Sequence, residues 1–236
     1  MYVVKERNHI CRIVVNVKPK ISLQPERVVA SALRIVDEQG LDALTVRKVA
    51  DEFGVTPMAL YWHFANKDAL LDAVGEFVVG ELRLPDDALG LEGYLRHGMT
   101  ALVDVMRAHP NATPLMASRL LLSDVGRDLT EVTLGKLADA GYDVDRAAAV
   151  AHYALRIAMT LVASEPGAET AVKPAEREDM LKSKLDMLAS LPADRYPRLR
   201  AAAPAMVTCS DSDDYYVAGI DIFVAGVMSD ARTLTP

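Results

Sequence analysis

The sequence predicts an all-α protein, and three observations carry this prediction. Apolar residues recur with helical spacing through most of the 236 residues. The alternating pattern of a β-strand is short and confined to residues 12–17. Proline and glycine residues divide the chain into segments of helix length. We therefore expect a compact module of four helices followed by a larger helical domain.

The first four helices are short, and local signals mark their ends. Thr45 and Asn66 are expected as N-caps, because a side-chain oxygen at that position can accept a hydrogen bond from the first helical turn. Pro57 suits a first turn, where its missing amide costs nothing, and Gly54 suits a helix end. The four helices are expected at about residues 22–40, 45–54, 56–64 and 66–84.

The helices beyond a linker at residues 85–87 are expected to be longer. Pro110, Gly141, Pro192 and Pro204 separate their apolar patterns. These helices are expected at about residues 92–109, 111–122, 123–140, 144–164, 174–190, 194–203 and 213–231.

The composition is that of a globular chain with unevenly distributed charge. The 26 Lys and Arg stand against 33 Asp and Glu, giving a net charge of -7, and 51% of residues are hydrophobic. These values disfavour a disordered, collagen-like or coiled-coil chain. An acidic total also disfavours a nucleic-acid partner. However, residues 1–67 hold ten basic and seven acidic side chains, which indicates a basic end on an acidic body.

Cysteine usage and hydropathy predict a cytoplasmic protein without a membrane span. Cys11 and Cys209 lie far apart and outside any CxxC pattern, so neither a disulfide framework nor a zinc site is expected. The N-terminal residues lack the apolar core of a signal peptide. The longest apolar stretch, residues 147–163, is interrupted by His152 and Arg156.

The most informative segment is residues 44–67, LTVRKVADEFGVTPMALYWHFANK. Two short helices joined by a three-residue turn with Gly54 match a helix-turn-helix, whose second helix enters the major groove of DNA. The residues spaced to pack the two helices together are Val46, Val49, Ala50, Val55 and Leu60.

Within this segment, LYWHF at residues 60–64 and NKDALL at residues 66–71 resemble the DNA-binding module of the tetracycline-repressor (TetR) family. The resemblance covers about residues 22–84, and a looser one includes residues 221–223 near the end of the chain. It implies a homodimer that binds a palindromic operator in double-stranded DNA. It also implies release of that operator when a small-molecule effector enters the larger domain.

The resemblance assigns DNA contacts to particular side chains. Arg47 matches an arginine that reads a guanine, and its alternative is a solvated charge at a helix start. Tyr61 and His63 lie where the family contacts phosphates, although His63 could instead cap helix carbonyls. Lys67 matches a phosphate-binding lysine at a helix N-terminus, and its alternative is an ordinary surface lysine.

The beginning of the reading helix is unusually apolar for this resemblance. Pro57, Met58 and Ala59 can meet only thymine methyl groups, where tetracycline repressors carry polar residues, so their operator sequence does not transfer. Trp62 and Phe64 are expected in the core. The full set of expected DNA-binding residues is Thr45, Arg47, Thr56, Pro57, Met58, Ala59, Tyr61, His63 and Lys67.

Residues 85–236 carry no nucleophile, nucleotide-binding or metalloprotease motif, which disfavours an enzyme. Their richness in Ala, Leu, Val and Met suits an adaptable apolar cavity. No His or Asp spacing indicates a metal site, and we expect neither a metal nor a cofactor. The candidate effector-binding residues, each with an ordinary alternative in the core or on the surface, are His97, Met106, His109, Met116, His152 and Arg156.

The predicted helices at residues 144–164 and 213–231 are apolar over most of their surface. The family arrangement, a four-helix interface between two subunits, fits this composition. The alternative is that both helices are buried inside one subunit. The expected interface residues are Ala147, Ala151, Ala154, Leu155, Ala158, Ile220, Phe223, Val224 and Val227.

The sequence thus predicts three segments and one main function. A flexible basic extension is expected at residues 1–21, a DNA-binding domain at 22–84 with its helix-turn-helix at about 45–64, and an effector-binding and dimerisation domain at 85–236. The predicted function is a ligand-responsive transcriptional repressor. A transcriptional activator of the same fold is one alternative. A helical enzyme and a helical interaction protein are the others, and the latter would lack salt-dependent DNA affinity.

Overall fold

The computed structural model describes residues 23–167, 174–209 and 211–234, and within these ranges the regular structure is helical, with no strand. This confirms the all-α prediction. The short alternating pattern at residues 12–17 and the expected extension at residues 1–21 both lie outside the described residues. The α-helices are α1 (Pro25–Gln39), α2 (Val46–Phe53), α3 (Pro57–Tyr61), α4 (Lys67–Val79), α5 (Leu91–Ala108), α6 (Thr113–Arg119), α7 (Asp124–Asp139), α8 (Val144–Ala163), α9 (Pro174–Ala189), α10 (Pro197–Val207) and α11 (Ser212–Leu234).

The helices α1 to α4 form a unit that we call the head. Its core is built from the apolar stripe of α1, which packs against α4 and α2. Ile35 and Val36 of α1, Val49 of α2 and Val74 of α4 are completely buried. Because each helix is short, this shared burial of apolar area is the main source of helix stability in the head.

The helices α5 to α11 form a second unit that we call the body. Its centre is α5, which packs against α7, α8 and α11. Tyr94, Met99 and Met106 of α5 are fully buried there. None of the described helices is long and apolar enough to cross a membrane.

The structure departs most from the expected helix boundaries at three places. Helix α4 ends at Val79, several residues early, because the chain tightens into short-range backbone bonds from Glu81 N to Val78 O and from Leu82 N to Val79 O. Helix α10 continues through Pro204 to Val207 instead of ending before the proline. Pro204 is exposed, whereas Ala203 and Val207 are buried, so packing of the other side maintains the helix.

The third difference concerns the segment expected as one helix at residues 111–122. It consists of 3-10 turns at Pro110–Ala112 and Leu120–Leu122 on either side of α6. The second turn passes so close to Gly126 of α7 that a Cβ atom there would lie 1.8 Å from Leu120 O. Contact with α7 therefore fixes the path of the chain at this point.

Candidate DNA interface

The connection between α2 and α3 is fixed by hydrogen bonds of the main chain. Thr45 Oγ1 accepts from Lys48 N at 3.1 Å, which caps α2 as predicted. Gly54 has φ 64°, a left-handed conformation that glycine adopts without strain, and its N–H donates to Ala50 O and Asp51 O. Val55 N then donates to Ala50 O at 3.1 Å. The turn thus sets the direction of α3 relative to α2.

Side-chain packing holds the two helices together on their inner side. Val46, Val49 and Ala50 of α2 and Leu60 of α3 are buried, and Val55 in the turn is half-buried. This is the set that the sequence spacing indicated. Because α3 has only five residues, its orientation depends on Leu60, which is 1% exposed.

The outer side of the same helices is open to solvent. Met58 is 66% exposed and Tyr61 44% exposed. Among the described residues, the polar groups of Arg47, Tyr61 and Lys67 have no hydrogen-bond or ion-pair partner. The exposed members of the expected DNA-binding set are Thr45, Arg47, Thr56, Met58, Tyr61 and His63, and the partly buried ones are Pro57, Ala59 and Lys67.

The prediction that Trp62 lies in the core is wrong, because its side chain is 87% exposed. Phe64 is buried, as predicted. Leu60 and Phe64 are four residues apart and face the same side, whereas Trp62 lies half a turn away from both. The indole therefore points away from the core of the head and into solvent at the end of α3.

A polar network braces α1 against α2 behind this surface. Arg34 of α1 pairs with Glu52 of α2 at 2.5 Å and with Glu38 at 3.1 Å. Ser31 donates to Glu52, and this bond, together with Arg34, holds the pKa of Glu52 below its usual value. The acidic charges on this side of the head are thus engaged within the head.

Helix α4 connects the head to the body. Asn66 Oδ1 accepts from Ala69 N at 2.8 Å, so α4 is capped as predicted, with Lys67 in its first turn. Further along, α4 crosses α6 at Gly75, where a Cβ atom would lie 3.0 Å from Leu115 O. Asp72 of α4 also pairs with Arg119 of α6. The sequence offered no signal for this crossing, because it joins residues distant along the chain.

The body contains a small cavity, and an open cleft lies at its side. The cavity, about 50 Å³, lies between α5, α7 and α8, and Tyr94, Met99, Leu129 and Ala154 are among its apolar walls. The cleft, about 740 Å³, lies between the outer side of α5 and the segment that follows α4.

The expected effector-binding residues do not meet in one cavity. His97 lines the open cleft, and Arg156 lines a separate pocket beside α6. Met106 and Met116 are completely buried in the core, and His152 is exposed on α8. His109 is bound to Asp37 and Glu81 at the junction of head and body. Among the described residues, no group of three His, Cys, Asp or Glu side chains is placed to hold a metal ion.

The residues expected at a subunit interface lie mostly inside the chain itself. The buried ones are Ala147, Ala154, Ala158, Ile220, Val224 and Val227, and the partly buried ones are Ala151, Leu155 and Phe223. They face the body because α8 and α11 both pack on α5. The opposite side of the two helices exposes other apolar side chains, namely Tyr153, Val217 and Ile222.

Comparison with known proteins gives matches over both parts of the chain. Residues 28–74 match the family described as bacterial regulatory proteins, tetR family. Residues 90–230 match the family described as tetracyclin repressor-like, C-terminal domain.

Individual relatives and solved structures extend these matches. The tetracycline repressor protein class A from transposon 1721 of Escherichia coli is 40% identical over 102 residues, 39% of this chain and 47% of the repressor, so the match spans about half of that relative. An HTH-type transcriptional regulator of Saccharopolyspora erythraea is 29% identical over 91% of this chain and 88% of its own length. The crystal structure of the Streptomyces coelicolor TetR family protein ActR in complex with actinorhodin superposes with TM-score 0.71 and 27% identity, covering 89% of this chain and 98% of ActR.

Proposed function

The chain belongs to the TetR family of bacterial regulatory proteins, and from this premise we propose that it is a ligand-responsive transcriptional repressor that binds operator DNA as a homodimer. We propose residues 22–84 as the DNA-binding domain and residues 85–236 as the effector-binding and dimerisation domain. The protein then acts by binding and not by catalysis, in the cytoplasm, where its DNA lies.

The outer side of α2 and α3 carries this proposal. An exposed guanidinium on Arg47 has the fork geometry that reads guanine O6 and N7 in the major groove. Tyr61, His63 and Lys67 lie around the end of α3 and the start of α4, where hydroxyl, imidazole and ammonium donors suit phosphate oxygens. Pro57, Met58 and Ala59 at the start of α3 offer apolar contacts to thymine methyl groups.

The effector is proposed to act by enlarging the small cavity of the body. Its volume of about 50 Å³ is far below the ~300–1,000 Å³ of sites for drug-sized ligands. A ligand that enters must therefore bind a conformation in which α5, α7 and α8 lie further apart. Such differential affinity shifts the population toward that conformation. The α4–α6 crossing then passes the change to the head, as Gly75 leaves these helices no room to move independently.

The apolar walls of this cavity favour an effector with a largely apolar skeleton. The polar groups available are few, since Thr133 Oγ1 already donates to Leu129 O at 2.6 Å and Thr130 Oγ1 to Gly126 O at 2.8 Å. The complex of ActR with actinorhodin supports a small-molecule effector.

Dimerisation is proposed through the solvent-exposed side of α8 and α11. A groove of about 400 Å³ runs between these helices and is lined by Tyr153, Ile157, Ile222 and Phe223. Exposed apolar side chains of this size are what a subunit interface covers.

Selection of duplexes from a random-sequence pool tests the proposed function. The purified full chain is expected to enrich a palindrome whose half-sites lie one helical turn apart, about 34–36 Å. Its affinity for that duplex should fall steeply with salt, because cationic side chains displace counterions from phosphates. Failure to enrich any duplex above the starting pool would contradict the repressor proposal.

A further inference from the structure

His109 lies where the head meets the body. It directly follows α5, and its backbone N–H donates to Val105 O at 3.0 Å. Its Nδ1 lies 2.8 Å from Asp37 Oδ2 on α1, and its Nε2 lies 3.0 Å from Glu81 Oε2 just beyond α4. The side chain is only 16% exposed. One ring thus bridges two ends of the head to the central helix of the body.

Asp37 depends on this ring for its charge compensation. Its other carboxylate oxygen, Oδ1, is buried and has no hydrogen-bond partner among the described residues. Its backbone oxygen accepts from Asn111 Nδ2 at 3.0 Å, so main chain and side chain of the last turn of α1 are both held by the segment after α5. Loss of the bond to His109 leaves a carboxylate in a partly buried place without a cation, which is costly.

With Asp37 and Glu81 both ionised, the two contacts together require the ring to be protonated. A neutral imidazole has one N–H and one lone pair, and a lone pair cannot bond to an ionised carboxylate. Burial lowers the pKa of His109, but its hydrogen bonds to Asp37 and Glu81 outweigh burial and place the pKa above the ordinary 6.5. The bridge is therefore fully formed below that ordinary value and is lost as pH rises through the raised pKa.

The other charged side chains closest in sequence and structure are engaged elsewhere. Arg107, two residues earlier on α5, pairs with Asp213 at 2.8 Å. Arg119 on α6 pairs with Asp72 of α4. Arg34 of α1 pairs with Glu38 and Glu52. Arg83, which lines the same cleft as Glu81, forms no ion pair with Asp37 or Glu81 among the described residues.

We propose that the His109 imidazolium is a joint that, together with the α4–α6 crossing, fixes the head on the body, and that operator affinity depends on it although it lies neither on the DNA-facing surface nor on the wall of the cavity proposed for the effector. The inference rests on the proposed function. The two reading helices of a dimer must hold a separation of about 34–36 Å. A head that is held less tightly on its body has more orientational freedom to lose on binding, although the α4–α6 crossing remains, and this ordering lowers affinity. Operator binding should therefore weaken as His109 loses its proton.

Three variants distinguish a protonation-dependent contact between head and body from an ordinary contribution to the stability of the fold. His109→Gln removes the double bridge. Glu81→Gln replaces an acceptor by an amide that can donate to a neutral Nε2 while Nδ1–H still donates to Asp37, so the joint survives without protonation. Arg107→Gln is the matched control, because it breaks a tie between α5 and α11 that lies within the body.

The measurement is the dissociation constant for the palindromic duplex selected by the wild-type chain, from about pH 6.5 to about pH 8.5. His109→Gln is expected to weaken binding about tenfold at the lower pH and to show a shallower pH profile than wild type. Glu81→Gln should bind like wild type at the lower pH and share the shallower profile. Arg107→Gln should follow wild type throughout. All four proteins keep His63, so its contribution to DNA binding cancels in their ratios.

Two outcomes would overturn the joint. One is a His109→Gln variant with wild-type affinity and pH profile, and the other is a Glu81→Gln variant as weak as His109→Gln at the lower pH. A readout without DNA separates this from failure of the proposed function. In ¹⁵N spectra of histidine-labelled full-length protein at about pH 6.5, the ordinary pKa, both ring nitrogens of His109 should mostly carry protons. A neutral ring would refute the joint even if no operator existed, whereas a protonated ring with no selected duplex would refute only the repressor function.

Discussion

Arg47 and Lys48 are neighbours on α2, but their side chains meet different surroundings. Lys48 Nζ donates to Gln39 at the end of α1, so its charge helps to hold the head together. Arg47 is exposed, and no described residue engages its guanidinium. Two neighbouring residues of α2 thus differ in role, because Lys48 stabilises the head whereas Arg47 is available to bind a ligand. Composition alone does not distinguish these roles.

Two cations of the outer surface should affect DNA binding in different ways. Lys67→Ala is expected to weaken binding to all duplexes and to reduce the slope of log affinity against log salt concentration by the amount of about one phosphate contact.

Arg47→Ala should cost about 1–3 kcal/mol of binding free energy for the selected duplex and relax the preference at one base pair. Gel-shift titrations against the selected duplex and single-base variants measure both effects.

Arg127→Ala is the matched control, since it removes one positive charge from the body, where Arg127 pairs with Asp124. It should leave both the salt slope and the base preference unchanged. Equal losses on specific and random DNA for Arg47→Ala would contradict its assignment as a base-reading residue.

Among the elements, α2, α3 and the start of α4 were predictable because their signals are local. A cap such as Thr45 or Asn66 bonds to an amide three residues away, so sequence order already places its partner. Trp62 was misassigned although helical periodicity relative to Leu60 gives its direction. The bridge of His109 to Asp37 could not be foreseen, because its partners are 72 residues apart and meet only through packing.

Gly75 lies at the close crossing of α4 and α6, whereas Gly98 on α5 has more open surroundings. Substituting alanine should therefore have opposite effects on stability at the two positions. In Gly75→Ala, the new Cβ would lie 2.9 Å from Arg119 Cγ and 3.0 Å from the backbone oxygen of Leu115, so the helices must separate. This should lower the free energy of unfolding by about 1–3 kcal/mol. In Gly98→Ala, the nearest atoms would lie 3.7 Å away, and the helix should gain about 0.5–1 kcal/mol. Urea denaturation followed by circular dichroism measures both, and a stabilised Gly75→Ala variant would refute the tight crossing.

At the scale of the whole molecule, the net charge of -7 does not show that charged side chains have different roles in different places. The chain is acidic overall, yet Arg47 and Lys67 of the head have no partner among the described residues, whereas Glu52 and Glu38 are paired with Arg34 inside the head. Apolar side chains of the body also have two different roles. Residues expected between subunits are used inside the chain, and a second apolar set is left outside on α8 and α11.

That outer set predicts how subunits associate. Ile222 is 75% exposed on α11. Ile222→Asp is expected to convert dimers to monomers at micromolar concentration, because an interface would bury its charge without a partner. Met187→Asp on α9 is the control, since Met187 is also exposed and apolar but lies outside this groove. Sedimentation velocity distinguishes the two species, and a dimeric Ile222→Asp variant would exclude this face as the interface.

The exposure of Trp62 makes the chain its own optical reporter. It is the only tryptophan of the sequence, and its indole is already surrounded by solvent in the folded state. Emission excited in this indole should therefore hardly change when the body unfolds, yet change when a macromolecule covers the end of α3. Fluorescence of the unlabelled protein would thus follow occupancy of the head, while the melting of the core must be followed by another spectroscopic signal.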